Sequence, residues 1–179
     1  MAKRGDAGKI LKKLKGGDLR SIGRANEAAR EVADNPARFA SLFEAIFGDD
    51  PVLRARAADA CEKAAKKNRA LLAPLKKRLF AALSKAQQQE VRWHLAQMLA
   101  YVKTTSAEKK RAAAILKEWF ADDDSRIVRV MSLQALADFA KAEPGMRDEV
   151  SALIRAAAGS GIPSLAARAR KLQKKMGKP

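Results

Sequence analysis

The chain has 179 residues, of which 47% are apolar and 5% aromatic, and it carries a formal net charge of +17. Abundant Ala, Leu, Lys, Glu and Arg beside 10 Gly and 6 Pro is typical of an all-helical protein. One cysteine, Cys61, excludes an internal disulfide and a thiolate metal cage, and no apolar run or secretory signal stands out, so we expect a cytoplasmic protein.

Positive charge is concentrated at the two ends of the chain. Residues 1–17 carry +5 and residues 162–179 carry +6, while the 144 residues between them together carry only +6. A basic stretch followed by Gly16 and Gly17 is typical of a flexible, solvated arm. We therefore predict a flexible arm over 1–17 and a single repeat domain over 18–179.

The remainder of the chain repeats itself in segments of similar pattern. They begin at Leu53, Val91, Val128 and Leu165, at spacings of 38, 37 and 37 residues. Within each segment, small or apolar residues recur four, seven and eight positions on, which places them on one helix face. Another apolar-periodic stretch and a polar turn precede each segment. The pattern predicts an all-α chain with a helix at 18–33 and helical hairpins at about 36–67, 69–103, 106–141 and 144–176.

These hairpins resemble the HEAT-repeat family. The residues that carry the resemblance are Asp50-Pro51, Leu53-Arg54 and Ala57, then Val91-Arg92 and Leu95, then Asp124, Val128-Arg129, Leu133 and Leu136. The resemblance implies a right-handed α-solenoid of about four hairpins, capped by the helix at 18–33, with the second helices lining a concave surface. It also implies a ladder of turn Asp and helix Arg residues between neighbouring hairpins. The second turn has glutamine in place of Asp, and the fourth hairpin has Leu165-Ala166 in place of the Val-Arg pair.

The helical register indicates which side chains of the second helices face the concave surface. Positions two or three places after the opening apolar residue, and those one turn further on, point away from the predicted core. We predict a surface that is mildly apolar near Trp93 and becomes basic towards the C terminus. Its partner-binding residues are Trp93, Gln97, Val130, Met131, Gln134, Arg56, Arg168, Lys171 and Lys174.

Some of these residues also admit a purely structural role. Trp93 either contacts a partner or fills a gap between two hairpins, and Trp119 is expected in the core. The C-terminal helix is either a solvated cap or a docking surface for an anionic partner. Residues 122–124 are expected to cap a helix, although they could also hold a cation. The three ladder arginines could alternatively contact phosphate.

Catalytic chemistry has little support in the sequence. His94 is the only histidine, and no nucleophile, phosphate-binding loop or metal-ligand spacing accompanies it. No catalytic, cofactor-binding or metal-binding residue is predicted.

Three functional readings follow. The favoured one is a non-enzymatic scaffold or adaptor that holds a protein segment on its concave face. The alternative is a nucleic-acid-binding solenoid that uses the basic termini and groove arginines. A third reading is an enzyme remotely like the helical-repeat alkylpurine DNA glycosylases, because Asp59 and Asp138 flank Trp93 in neighbouring repeats.

Overall fold

The structure is a computed structural model that describes residues 4–176, with side chains from residue 8 onwards. This part of the chain contains helices and no strands. The helices are α1 (Arg4–Leu14), α2 (Ala25–Val32), α3 (Pro36–Glu44), α4 (Pro51–Lys67), α5 (Lys76–Lys85), α6 (Gln89–Met98), α7 (Ser106–Asp122), α8 (Arg126–Ala142), α9 (Arg147–Ala158) and α10 (Pro163–Met176). Short 3₁₀ segments occur at Ala45–Phe47, Arg69–Leu75, Leu99–Tyr101 and Pro144–Met146. None of the helices described is both long and apolar enough to cross a membrane.

The chain divides into two compact units, the first ending at Lys103 and the second beginning at Thr104. The first unit contains α1, α2 and the hairpins α3/α4 and α5/α6. The second unit contains the hairpins α7/α8 and α9/α10.

Helix α4 lies at the centre of the first unit. It packs against α1, α2, α3 and α6, and it is buried along most of its length. Small side chains such as Ala57, Ala60, Cys61 and Ala64 are fully buried and allow these helices to approach closely. Larger side chains of the surrounding elements complete the core, among them Phe39, Phe43, Leu72, Leu83 and Leu95.

Helix α8 has the same central place in the second unit. It packs against α7, α9 and α10, and its buried residues include Val128, Leu133, Leu136 and Phe139. Trp119 of α7 is also buried, which confirms that it belongs to the core.

Local sequence explains where several helices begin. The Asp50 carboxylate accepts hydrogen bonds from the Val52 and Leu53 N–H groups at 2.9 and 3.1 Å, and Pro51 occupies the first turn of α4. Thr105 and Glu108 form a reciprocal capping box at the start of α7.

Two predicted helices are shorter in the structure. The first helix of the second hairpin becomes regular only at Lys76, because Pro74 lies in the preceding 3₁₀ segment and has no N–H to donate. Helix α2 begins at Ala25 instead of residue 18. The residues before it form an irregular loop, in which Gly23 has a φ of +51°.

The structure also corrects the flexible arm predicted over 1–17. Residues Arg4–Leu14 form α1, while residues 1–3 lie outside the described part of the chain. Ile10 and Leu14 are one helical turn apart and both are buried, since α1 packs against α2, α3 and α4. Lys13 pairs with Glu27 and Glu31 of α2. The segment therefore forms a packed helix because its apolar residues are spaced one turn apart, although most of its charged residues are basic.

Candidate functional site

Arg56 does not lie on an open groove as the sequence predicts. Its side chain belongs to α4, but the residue is only 6% exposed, because the chain between α1 and α2 passes over it. The guanidinium donates hydrogen bonds to the backbone carbonyls of four residues at 2.6 to 3.1 Å, namely Leu14, Gly16, Asp18 and Ser21. Arg56 therefore fastens the N-terminal segment and is unavailable to a partner.

Two further residues of α4 differ from the prediction. Ala55 and Asp59 occupy positions predicted to face outward, yet both are buried. The Asp59 carboxylate pairs with Lys63 at 2.7 Å, and the Lys63 ammonium also donates to Asn26 of α2 at 2.6 Å. In the first unit, α4 is thus packed against the N-terminal helices α1 and α2 as well as against α3.

Trp93 and Gln97 of α6 remain partly exposed. The Trp93 ring lies 5.6 Å from the imidazole of His94, centroid to centroid. The Gln97 amide donates to the Trp93 carbonyl at 3.3 Å, which orients Gln97 along the helix. Both predicted contact residues therefore present part of their surface to solvent.

His94 has a carboxylate neighbour that the sequence reasoning missed. Its Nε2 atom lies 3.8 Å from an Asp59 oxygen, and Nδ1 is buried without a partner among the described residues. Burial lowers the pKa of His94 to about 4, against the opposing influence of Asp59 and with a smaller lowering from Lys63. The imidazole is therefore neutral at physiological pH. The signal available in the sequence was the repeat register, which places Asp59 of α4 and His94 of α6 on facing sides of adjacent second helices.

Asp59 and Asp138, the two carboxylates that suggested a glycosylase-like site, are both engaged structurally. Asp59 pairs with Lys63, while Asp138 pairs with Lys141 at 2.7 Å and accepts from the Gln134 amide at 2.9 Å. Within residues 8–176, no group of three or more His, Cys, Asp or Glu side chains is placed to hold a metal ion.

In the second unit, the predicted contact residues lie on α8 and α10, and one hydrogen bond joins two of them. Gln134 of α8 accepts a hydrogen bond from the Arg168 guanidinium of α10 at 2.8 Å. Met131 is half-buried beside them in the helical register, and Lys171 and Lys174 are exposed. Val130 differs from the prediction because it is only 8% exposed. Three helices surround α8, so its buried positions extend around most of its circumference.

Helix α10 gives this surface its charge. It contains no acidic residue, and Lys171, Lys174, Lys175 and Arg170 are exposed. Among the described residues these four side chains have no ion-pair partner. We name the surface formed by Met131, Gln134, Arg168, Lys171 and Lys174 the α8–α10 surface.

The ladder expected from the family resemblance is present between the first two hairpins in modified form. Arg54 of α4 donates to the side-chain carbonyl of Gln88 at 2.9 Å and to the backbone carbonyl of Gly48 at 2.9 Å. The Gln88 amide in turn donates to the Pro51 carbonyl at 2.9 Å. Gln88 thus takes the acceptor role of the expected Asp. Arg92 and Arg129 donate to backbone carbonyls of their own hairpins.

Residues 122–124 span the end of α7 and the turn before α8. The Asp123 carboxylate accepts a hydrogen bond from the Ser125 N–H at 2.8 Å and so orders the turn before α8. Ser125 is the N-cap residue of α8 and makes no side-chain capping hydrogen bond, so the structure does not show the capping role expected for residues 122–124.

The succession of helical hairpins built around α4 and α8 defines an all-α helical-repeat protein. A family model described as HEAT repeat domain matches residues 17–176, and the chain therefore belongs to the HEAT-repeat family. The match and the helical structure confirm the predicted fold class, an all-α solenoid. HEAT repeats typically mediate protein interactions. No curated protein and no solved structure matches the chain.

Proposed function

We propose that the chain is a non-enzymatic scaffold that binds an acidic segment of a partner protein on the α8–α10 surface. The observation that carries the proposal is the set of basic side chains on α10 that lack acidic partners, on the helix whose Arg168 donates to Gln134 of α8. Lysine and arginine suit the carboxylates of such a segment, and Met131 offers an adaptable apolar contact. Gln134 accepts from Arg168 and donates to Asp138, so its role is to hold the Arg168 guanidinium in place.

The composition of this surface favours a protein partner over nucleic acid. Non-specific binding of single strands relies on aromatic side chains that stack on bases, and the α8–α10 surface contains none. Phosphate contacts alone would make no use of Met131. Trp93 and Gln97 of α6 supply a second set of contact residues in the first unit, where a large aromatic side chain suits a binding hot spot.

The proposal is tested by fluorescence anisotropy with three labelled probes at low and moderate salt. The probes are a peptide of alternating Glu and Leu, the same peptide with Gln for Glu, and a DNA duplex of generic sequence. We expect the acidic peptide to bind, and Lys171→Glu/Lys174→Glu to weaken it by about tenfold or more. The matched control is Lys77→Glu/Lys110→Glu, which makes the same charge change at exposed positions of α5 and α7.

Each other outcome has a defined meaning. Equal weakening by both double variants would show that only net charge acts, which contradicts a site on α8–α10. Binding of the duplex in preference to the peptide, with a steep loss between low and moderate salt, would make nucleic acid the partner. Loss of affinity in Trp93→Ala would add the α6 contact to the site.

A further inference from the structure

The loop between α1 and α2, residues 15–24, displays two large apolar side chains to solvent. Leu19 is 46% exposed and Ile22 is 49% exposed. In the described part of the chain, only one other large apolar side chain, Ile127 at 48%, is exposed to a similar degree. Two such side chains within four residues of one another form the most concentrated exposed aliphatic surface of the first unit.

This loop is held in a defined conformation from beneath. The Arg56 guanidinium donates hydrogen bonds both to the end of α1 and to the two halves of the loop. Its acceptors are the carbonyls of Leu14, Gly16, Asp18 and Ser21. Close approach requires glycine at Gly23, which has a φ of +51° and where a Cβ would lie 2.9 Å from the Arg56 guanidinium carbon. Asp18 and Ser21 side chains accept from the backbone N–H groups of Arg20 and Gly23. The exposed Leu19 and Ile22 are therefore presented on an ordered backbone.

The surroundings of the two apolar side chains are cationic. Lys9, Lys12, Lys15 and Arg20 are exposed and have no ion-pair partner among the described residues. The carboxylates of Glu27 and Glu31 are already engaged, because Lys13 pairs with both and Arg24 pairs with Glu27. Asp18 is the one acidic residue of the loop, where it accepts from the Arg20 N–H, and the cations of this region outnumber it. Lys15 and Arg20 belong to the loop itself, and Lys12 is in the last turn of α1, whose end Arg56 ties to the loop.

From this arrangement we propose that loop 15–24 docks on an anionic lipid membrane, with Leu19 and Ile22 entering the headgroup region and the basic side chains contacting lipid anions. Aliphatic side chains gain free energy on leaving water for the interface, and basic side chains near a negatively charged bilayer add an attraction that salt weakens. A membrane surface binds both the aliphatic and the basic side chains, and it requires no complementary pocket. A nucleic-acid backbone would use the cations and leave Leu19 and Ile22 in water. The docking site is separate from the α8–α10 surface and does not depend on its function.

The test is co-sedimentation of the full chain with vesicles of phosphatidylcholine, with and without phosphatidylserine. We expect binding only to the vesicles that contain phosphatidylserine, and Leu19→Ser/Ile22→Ser to lower the partition coefficient by about tenfold. Ile127→Ser is the matched control, because it removes an equally exposed aliphatic side chain from α8, and we expect less than about a twofold change. Thermal unfolding of each variant checks that the fold is retained.

A site-specific readout complements the sedimentation. Cys61 is fully buried, so a Leu19→Cys variant carries one accessible thiol and accepts an environment-sensitive fluorophore at the loop. We expect a blue shift and an intensity increase on addition of phosphatidylserine vesicles, and no change with an Ile127→Cys variant labelled in the same way.

The proposal is overturned if the chain does not sediment with anionic vesicles, or if Leu19→Ser/Ile22→Ser binds them as well as the unaltered chain does. Equal losses in the loop variant and in Ile127→Ser would also overturn it. Binding of soluble polyglutamate that depends on Leu19, with no vesicle binding, would assign the loop to an acidic protein instead.

Discussion

At the scale of single residues, Arg56 shows how the side chain of one buried cation can hold an irregular loop in place. Its side chain crosses from α4 to the N-terminal segment and donates to four backbone carbonyls there, of which that of Leu14 is buried. The loop that bears Leu19 and Ile22 is held by these bonds, together with Gly23 and the turns formed by Asp18 and Ser21.

We expect Arg56→Met to destabilise the protein by about 2–4 kcal/mol, since the methionine keeps most of the apolar stem and leaves the carbonyls without donors. Urea denaturation followed by circular dichroism measures the change. Arg30→Met is the control, because Arg30 is exposed on α2, and we expect a change within about 0.5 kcal/mol. Similar values for both variants would contradict the role assigned to Arg56.

His94 predicts a pH dependence of stability. Burial lowers its pKa from the ordinary value of 6.5 to about 4 in the folded chain, so the unfolded chain binds more protons between these values. Stability therefore rises with pH through this window, and the contribution of His94 is lost as pH falls from above 6.5 towards 4. The shift corresponds to roughly 3 kcal/mol at most.

The free energy of unfolding, measured between pH 7 and pH 4 for the unaltered chain and for His94→Gln, tests this prediction. The variant should show a shallower slope, because the remaining neighbours, Asp59 and Lys63, keep their ion pair. An identical slope in both proteins would mean that the imidazole titrates normally in the fold.

At the scale of elements, the helix starts differ in how they are capped, and this gives a matched comparison. We expect Asp50→Ala to cost about 1 kcal/mol, since its carboxylate accepts two N–H groups at the start of α4. Ser125 occupies the corresponding position before α8 but its side chain makes no capping hydrogen bond, so Ser125→Ala should be nearly neutral. Thermal or chemical denaturation measures the loss of stability in each variant. A larger loss in Ser125→Ala than in Asp50→Ala would contradict the assignment of the caps.

At the scale of the whole molecule, each compact unit has one central helix, α4 in the first and α8 in the second. An amide in the middle of either helix exchanges only when the packing around it opens. Hydrogen exchange followed by mass spectrometry should therefore find the slowest amides of each unit in α4 and α8, and faster exchange in α1 and α5. Slower exchange in α5 than in α4 would contradict this order.

Much of the architecture was accessible from the sequence because it depends on local periodicity. The spacing of Leu53, Val91, Val128 and Leu165 marks the second helices, and Asp50-Pro51 and Thr105 mark helix starts. The sequence also places Trp119 in the core and Gln134, Arg168, Lys171 and Lys174 on a shared, basic surface of α8 and α10. The role of that surface in binding stays a prediction.

The helical repeats, the family and the charge of α10 could be predicted from the sequence alone, since helix periodicity, caps and composition act over a few residues. The burial of Arg56, the order of α1 and the neutral state of His94 depend on tertiary contacts and became visible only in the fold. These outcomes rest on contacts between distant parts of the chain, such as the hydrogen bond from Arg56 to Leu14, 42 residues away. The burial of a side chain depends on which segment passes over it, and a local pattern of residues does not contain that information.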